Sequence, residues 1–514
     1  MTVSGAMSAS DVHLSLKARS LARRGRRSLR RLLVAKDPRT DDREVWTHVA
    51  TKVVLVLFCV TYIVTLSRWS LRNHWAFLTY GFDLGIFDQG VWLLSRFREP
   101  FVTVRGLNLF GDHTSFILLF VAPLYRVFDS AAVLLVAQSA ALGAGAVGVF
   151  LIAREKLRNE IMSVAFAAVY LLHPAVQWTN LENFHPDTFA TPLALFAFFF
   201  MIKERWRAFL VTVIVLLLVK EDVALLTVPL GIYVALVHDR RVGLVTAAVS
   251  AAWLFVALRV VIPGFNDTGA LYESRLAFGG IGETLKAIFT QPLEVIRLVL
   301  SENRPWFLLQ LFAPLAALSL LGWRVCLLGI GALGVNLLSA FPYQHQIEYH
   351  YTTLIVPVLV VAAIFGISRV WSTRGRVWLS CVVVVATMVS VYLWGPALFS
   401  RHPGPLGDPA SDYARDAREA VARIPDDASV SAVPTLVPHL SHRAEIYEFP
   451  NPFEAANWGD ASREGTRLPL ADSVDFVVVQ VSPGDSTTQL MELIGADFEI
   501  DLSNDNLMVL ERVR

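Results

Sequence analysis

The stretch VWLSCVVVVATMVSVYLWG, residues 377–395, carries no charge and is long enough to cross the hydrocarbon of a bilayer as a helix. Similar runs recur from VVLVLFCVTYIVTL at 53–66 onward, and this recurrence is the strongest constraint on the fold. A chain that repeatedly enters lipid must pair every backbone N–H and C=O within itself, which here means helices. The pattern predicts spans at about 49–67, 131–153, 160–174, 188–203, 208–220, 223–238, 242–262, 306–322, 325–340, 352–369 and 377–395. Composition agrees, because 17% of residues are charged and 54% hydrophobic, whereas soluble domains carry about 25% charged residues. The expectation is an all-α polytopic membrane protein of about 11 transmembrane helices with a small C-terminal α/β domain.

Charge sets the orientation, since cytoplasmic loops are rich in Lys and Arg. With the N-terminus cytoplasmic, the inner segments are RRGRRSLRR (23–31), REKLRN (154–159), KERWR (203–207), HDRR (238–241), a turn at Trp323–Arg324 and RVWSTRGR (369–376). All are basic, provided that HTSFILLFVAPLYRVF (113–128) stays on the outer face as a juxtamembrane helix. Residues 1–47 form a basic cytoplasmic segment, read first as a topology signal and second as a basic helix on an anionic leaflet. Residues 48–396 form the membrane domain with an outer loop at 68–130, and 397–514 an extracytoplasmic domain. In that last domain, 412–425 is expected as an amphipathic helix, 428–433, 475–481 and 506–513 as strands, and 487–496 as a helix. The first apolar run is expected to act as an uncleaved anchor. Cys59, Cys326 and Cys381 lie in apolar segments without CxxC spacing, so no disulfide framework or thiolate site is indicated.

In this topology the acids and histidines sort to one face. YGFDLGIFDQG (80–90), FGDHTSF (110–116), LLHPAVQWTNLENFHPD (171–187), LLLVKEDVALL (216–226) and YQHQIEYHY (343–351) all point outward. Ionisable groups at membrane depth are costly and mark functional sites. Three consecutive charges, Lys220, Glu221 and Asp222, interrupt an apolar stretch; the alternative to a site is a solvated outer turn. Asp83 and Asp112 have capping alternatives, at helices beginning at Leu84 and His113. Glu182 and His185 are three apart, but the proline after His185 favours a turn over a helix. His345, Glu348 and His350 have spacing that a metal site would use, yet an interfacial belt with Tyr343, Tyr349 and Tyr351 explains them as well and is preferred.

GFDLGIFDQ, GDHTSFILLFVAPLY, HPDTFA, LVKEDVAL and EYHY resemble the recurring motifs of a family of bacterial and archaeal multi-pass membrane proteins of unknown function. That family in turn resembles the C-type glycosyltransferases, which use polyprenyl-phosphate-linked sugars. The resemblance implies an outer-face transferase acting on a lipid-linked donor and a cell-envelope acceptor, with membrane lipids as further partners and no nucleic acid. It implies Asp83, then Asp88, as the proton acceptor and Lys220 as the group facing the leaving phosphate. Asp112, His113, Glu182, His185, Asp187, Glu221, Asp222, His345, Glu348 and His350 would bind substrate. The scheme needs neither a metal nor a cofactor. Many such transferases carry an adjacent Asp-Glu pair in the first outer loop, whereas here the acids are separated. A transporter or flippase, or a non-catalytic envelope assembly protein, are the competing readings.

Overall fold

The computed structural model describes residues 42–480 and 492–513, apart from 267–268, 270–271 and 496. The basic N-terminal segment and most of the helix expected at 487–496 lie outside these residues. Among the described residues, six continuous helices are long and apolar enough to cross a membrane: Trp46–Trp75, Ala132–Leu157, Arg240–Phe265, Leu318–Leu337, His350–Ser368 and Thr373–Trp394. A seventh candidate is the pair Glu160–Leu172 and Pro174–Leu181, bent by 46° where Pro174 begins the second helix. The remaining apolar stretches form shorter helices, including Pro186–Ile202 and Trp206–Leu217.

Their shortness has a local cause. Trp206–Leu217 has 12 residues and is therefore about 18 Å long, less than the ~30 Å of hydrocarbon. It stops where the chain turns polar at Lys220, which is extended, before a 3₁₀ turn at Glu221–Val223. Pro186–Phe189 is likewise a 3₁₀ turn ahead of the helix Ala190–Ile202. Apolar pattern alone draws these stretches as full spans, and the polar turns shorten them. One boundary moves further. The chain reverses at Ala316–Ala317, both left-handed, and Trp323–Arg324 lies inside the helical stretch that follows rather than at a turn.

The segment Ile355–Ile367 is buried on nearly every side, as a helix apolar all round should be at the centre of a bundle. Ala132–Leu157 packs beside it and separates two chemically different ends. Near one end, Gln138 reaches the loop at 179–185, while at the other Glu155 pairs with Lys203 at 3.0 Å and Arg154 with Glu160 at 2.8 Å. The basic end also holds the pair His238–Glu204 at 3.5 Å. The basic loops at 154–159, 203–207 and 238–241 thus share one end of the bundle, apart from the 179–185 loop.

The loop between the first two long helices carries the helix Ile86–Ser95, a short antiparallel pair β1 (Phe101–Val102) and β2 (Leu107–Asn108), and a helical turn Leu118–Val121 that tightens to 3₁₀ over Ala122–Arg126 at Pro123. The juxtamembrane helix expected over 113–128 is therefore confined to 118–126. Two amphipathic helices, Ile281–Thr290 and Pro292–Val299, precede Arg304 and leave Leu285, Phe289, Leu293 and Ile296 exposed.

After Trp394 the chain builds a five-stranded sheet, β3 (Val430–Ala432), β4 (Ile446–Glu448), β5 (Phe476–Gln480), β6 (Phe498–Ser503) and β7 (Leu507–Arg512), in the order β4-β3-β5-β7-β6. β3 pairs in parallel with both β4 and β5, with Val430 opposite Ile446 and Phe476; β5–β7 and β7–β6 are antiparallel. The helix Asp412–Arg423 buries Ala414, Ala417 and Ala420, one face at a spacing of three. The expected helix and three strands are present, and β4 and β6 are additional.

Candidate functional site

The sequence Gly81–Phe82–Asp83–Leu84–Gly85 forms one irregular turn ahead of the helix Ile86–Ser95, in which Asp83 has φ 72° and ψ −85°. This is the strained γ-turn region, which a non-glycine residue occupies at a cost of about 1–3 kcal/mol. The C-terminal domain holds the turn in place. The Gly81 N–H donates to the Pro434 carbonyl at 2.8 Å, and the Phe82 N–H to Glu448 Oε2 at 3.1 Å. A Cβ at Gly81 would lie 2.5 Å from Glu448 Oε2, and one at Gly85 2.9 Å from Val437 Cγ1, so both glycines are required by close approach. Asp83 is therefore no helix cap. Its carboxylate is about a third exposed (35%), with Oδ1 3.2 Å from His185 Nε2.

The loop carrying Glu182, His185 and Asp187 is anchored from inside. The fully buried Gln138 donates to the carbonyls of Asn180 and Asn183 at 3.1 and 2.7 Å, and its Oε1 accepts the His185 N–H at 3.0 Å. The helix ends at Leu181, and Glu182 and His185 are extended, as the proline after His185 demanded. Glu182 turns toward His350, whose N–H donates to Oε2 at 2.5 Å and whose Nδ1 lies 3.3 Å from both carboxylate oxygens. The rings of His185 and His350 stack with centroids 3.6 Å apart. Burial raises the Glu182 carboxyl to about 8, with Asp83 and Asp187 adding to the effect and His185 opposing it. For His185 burial favours the neutral ring, but Glu182, Asp83 and Asp187 outweigh it and raise the imidazole to about 9.

Lys220, buried, reaches Asp187 Oδ1 at 3.2 Å and Asp222 Oδ2 at 3.8 Å. Burial would discharge it, but Asp187, Asp222 and Glu221 keep its pKa well above the usual lysine value. Glu221 turns the other way, accepting the Thr114 N–H at 3.1 Å and meeting His113 Nδ1 at 2.7 Å. Burial would raise that carboxyl, yet His113 and Lys220 hold it down at about 2. Asp112 accepts from the Tyr272 hydroxyl at 2.5 Å, and Tyr272 stacks on His113. Asp112 ends a short helix whose cap is Asn108, and His113 is extended, so the capping role weighed for Asp112 is not the one found. Asp83, Asp112, His113, Glu182, His185, Asp187, Lys220, Glu221, Asp222 and His350 thus form one connected cluster from five separate segments.

Residues 73–500 match the family described as "Predicted membrane protein (DUF2079)". The chain belongs to this family. No curated protein matches the family member. Among solved structures it is similar to ArnT from Cupriavidus metallidurans, bound to undecaprenyl phosphate (13% identity) and in the apo state (14%). Both have a TM-score of 0.51, and the matches cover 88% of this chain and 97% and 98% of ArnT. At that identity the likeness establishes the fold, which is GT-C-like. The family member is a multi-pass membrane protein with that fold and a small C-terminal sheet domain.

Three candidates lie apart from the cluster. Asp88 is wholly buried, accepts from Tyr125 Oη at 2.6 Å and from Ser441, and has Oδ2 3.1 Å from His442 Nε2. It fastens the loop between the first two long helices to the C-terminal domain. His345 turns to Asn303, with Nδ1 2.5 Å from Oδ1, and is separated from His350. Glu348 is flanked by Tyr349, whose ring meets Tyr343 at 4.7 Å, as in the expected aromatic belt. Conversely, sequence reasoning missed Gln138, Arg275 and Glu448. Arg275 is held between the rings of Tyr272 and Phe341, with Nη1 3.4 Å from Tyr351 Oη. Gln138 was visible as a polar residue within an apolar run, and Arg275 as a cation in the outer loop after the seventh expected span. Glu448 had no signal, because only the packing of two distant segments gives it a role.

Proposed function

We propose that this family member transfers a sugar from a polyprenyl-phosphate donor to a hydroxyl of a cell-envelope acceptor on the outer face of the membrane. The observation that carries the reading is the meeting of a partly open carboxylate, Asp83, with a buried charged amine, Lys220, in one cluster at one end of a GT-C-like fold. ArnT, of similar fold, binds undecaprenyl phosphate in one of its structures, which supports a lipid phosphate as the donor's carrier. In this orientation the N-terminus is cytoplasmic and the C-terminal domain lies outside, on the side of the cluster.

Asp83 accepts the proton of the acceptor hydroxyl as its oxygen bonds to the anomeric carbon. The bond from that carbon to the phosphate oxygen breaks, and its electron pair leaves with the lipid phosphate. Lys220, kept charged by Asp187 and Asp222, and Arg275, fixed between two rings, offset the negative charge that develops there. Glu182 and Asp187 meet sugar hydroxyls. Asp88 serves by position, tying the Asp83 turn's following helix to the C-terminal domain.

The test is transfer from a panel of polyprenyl-phosphate sugars by the protein in native membranes. Asp83→Asn and Lys220→Ala, at unchanged membrane abundance, should each lower turnover by about 10²–10⁴-fold. Transfer that survives Asp83→Asn at the wild-type rate would remove Asp83 from the chemistry.

A further inference from the structure

We infer that Glu182, His185 and His350 form a binding site for one divalent transition-metal ion of the zinc class. The three side chains each offer a ligand atom within 4.8 Å of the others. His350 Nδ1 is 3.3 Å from both oxygens of Glu182, and His185 Nδ1 is 3.9 Å from Oε2. Ligand bonds of about 2.0–2.1 Å in a tetrahedron separate neighbouring donors by roughly 3.3 Å. The spacing found is that of a site slightly open at His185. The two rings lie face to face, 19° from parallel, so a ring must turn about its Cβ–Cγ bond before both lone pairs meet one ion.

A second observation is independent of spacing. His185 is 3% exposed, and its Nδ1, the atom nearest Glu182, is buried without a hydrogen-bond partner. Buried polar atoms without a partner are uncommon and point to a missing ion, water or ligand. At this position a cation also answers the electrostatics. Three carboxyl groups, of Glu182, Asp83 and Asp187, gather round His185, and a bound cation would take the place of the proton they otherwise draw to the ring.

The surroundings complete the arrangement. Metal-bound histidines commonly offer their second nitrogen to a carboxylate, and Asp83 stands at His185 Nε2. The His350 N–H orients the Glu182 carboxylate. Two imidazoles with one carboxylate suit zinc and its neighbours, while calcium and magnesium take oxygen ligands. Three protein ligands leave a further position for an exchangeable oxygen ligand. The inference does not depend on the transferase reading, since an ion can hold two loops together in a protein of any activity.

The test uses the full-length protein in lipid nanodiscs, stripped with a chelator and titrated with Co²⁺ as a spectroscopic probe, then with Zn²⁺. The expected result is one Co²⁺ per chain, with visible ligand-field bands that Zn²⁺ abolishes. His350→Ala, and the pair His185→Ala with His350→Ala, should weaken binding by more than about 100-fold, beyond the loss typical of second-layer partners. His402→Ala, at an exposed histidine, should leave binding unchanged. X-ray absorption on the wild-type zinc form should find two imidazoles and oxygen at about 2.0 Å, which keeps the test valid if a variant fails to fold. Fewer than one ion per chain, an ion without imidazole, or equal binding by the double variant would each overturn the site; the last would mean an adventitious ion only.

Discussion

Asp83 stores backbone strain, and the strain separates two of its substitutions. Asn tolerates positive φ only in part, whereas Gly has no Cβ to clash. Asp83→Gly should therefore be more stable than Asp83→Asn by about 1 kcal/mol, with both inactive, as read by thermal unfolding in detergent alongside the transfer assay. Equal stability would show that the turn is relaxed. The Asp88–His442 contact makes a second prediction. Burial opposes charge on both groups, but His442, Ser441 and Tyr125 lower the Asp88 pKa, while Asp88 and Asp129 raise that of His442. A depressed acid stabilises above its unfolded pKa and loses that as pH falls; a raised base stabilises below its unfolded pKa and loses that as pH rises. The contact should be strongest between about pH 4 and 6.5, the ordinary values of the two groups. Amide protection over 86–95, taken relative to the intrinsic exchange rate at each pH, should be greatest in that window and fall on either side. His442→Gln should flatten the alkaline limb. At this scale the sequence was informative where charge interrupts an apolar run, as at Lys220, and misleading where two acids share a motif. Asp83 and Asp88 lie five apart, yet one faces the cluster and the other a seam, because the strained turn changes the direction of the chain between them.

Among the elements, the helical turn Val437–Leu440 and strand β4 matter most to the site, although they lie in the C-terminal domain. Val437 fills the space beside Gly81 and Gly85, and Glu448, at the end of β4, receives the Phe82 N–H. Removing that acceptor leaves the half-buried Phe82 N–H unpaired, at about 1 kcal/mol, and frees the Asp83 turn. Glu448→Ala should lower kcat by more than about tenfold with KM little changed, because the loss is one of positioning. Glu454→Ala, on the same domain, should leave both alone; a change in KM alone for Glu448→Ala would move that residue into substrate binding. β4 was invisible beforehand because three residues do not establish alternation. The long helices were legible because hydrophobic periodicity and length suffice for them. Their ends were not: the chain reverses at Ala316–Ala317, just after Pro314, in the middle of a run whose apolar pattern continues unbroken. The helices Ile281–Thr290 and Pro292–Val299 turn bulky apolar side chains outward beside charged ones, the pattern of a helix lying in a bilayer interface. A spin label on Phe289→Cys should be accessible to oxygen and shielded from a polar relaxant. The reverse accessibility would place these helices in water.

Among the described residues, the basic loops at 154–160, 203–204 and 238 lie together, at the end of Ala132–Leu157 away from the Gln138 contacts with the cluster. The orientation proposed from charge predicts that an impermeant maleimide labels Ser462→Cys in intact cells and Arg205→Cys only after permeabilisation; the opposite pattern would invert the protein. Fold class was readable from the sequence because lipid leaves few choices to a long apolar chain. The convergence of five segments was not, because nothing local in Glu182, Lys220 or His350 records which of the others it meets. The bond from Phe82 to Glu448 spans 366 residues of chain. At translation speeds of about 5–20 residues per second, those residues take roughly 20–70 s to emerge. The turn that presents Asp83 is made early, yet it waits for a strand 366 residues further along to give it its final shape. A ribosome that stops before Glu448 therefore leaves a chain whose Asp83 turn has no partner to hold it.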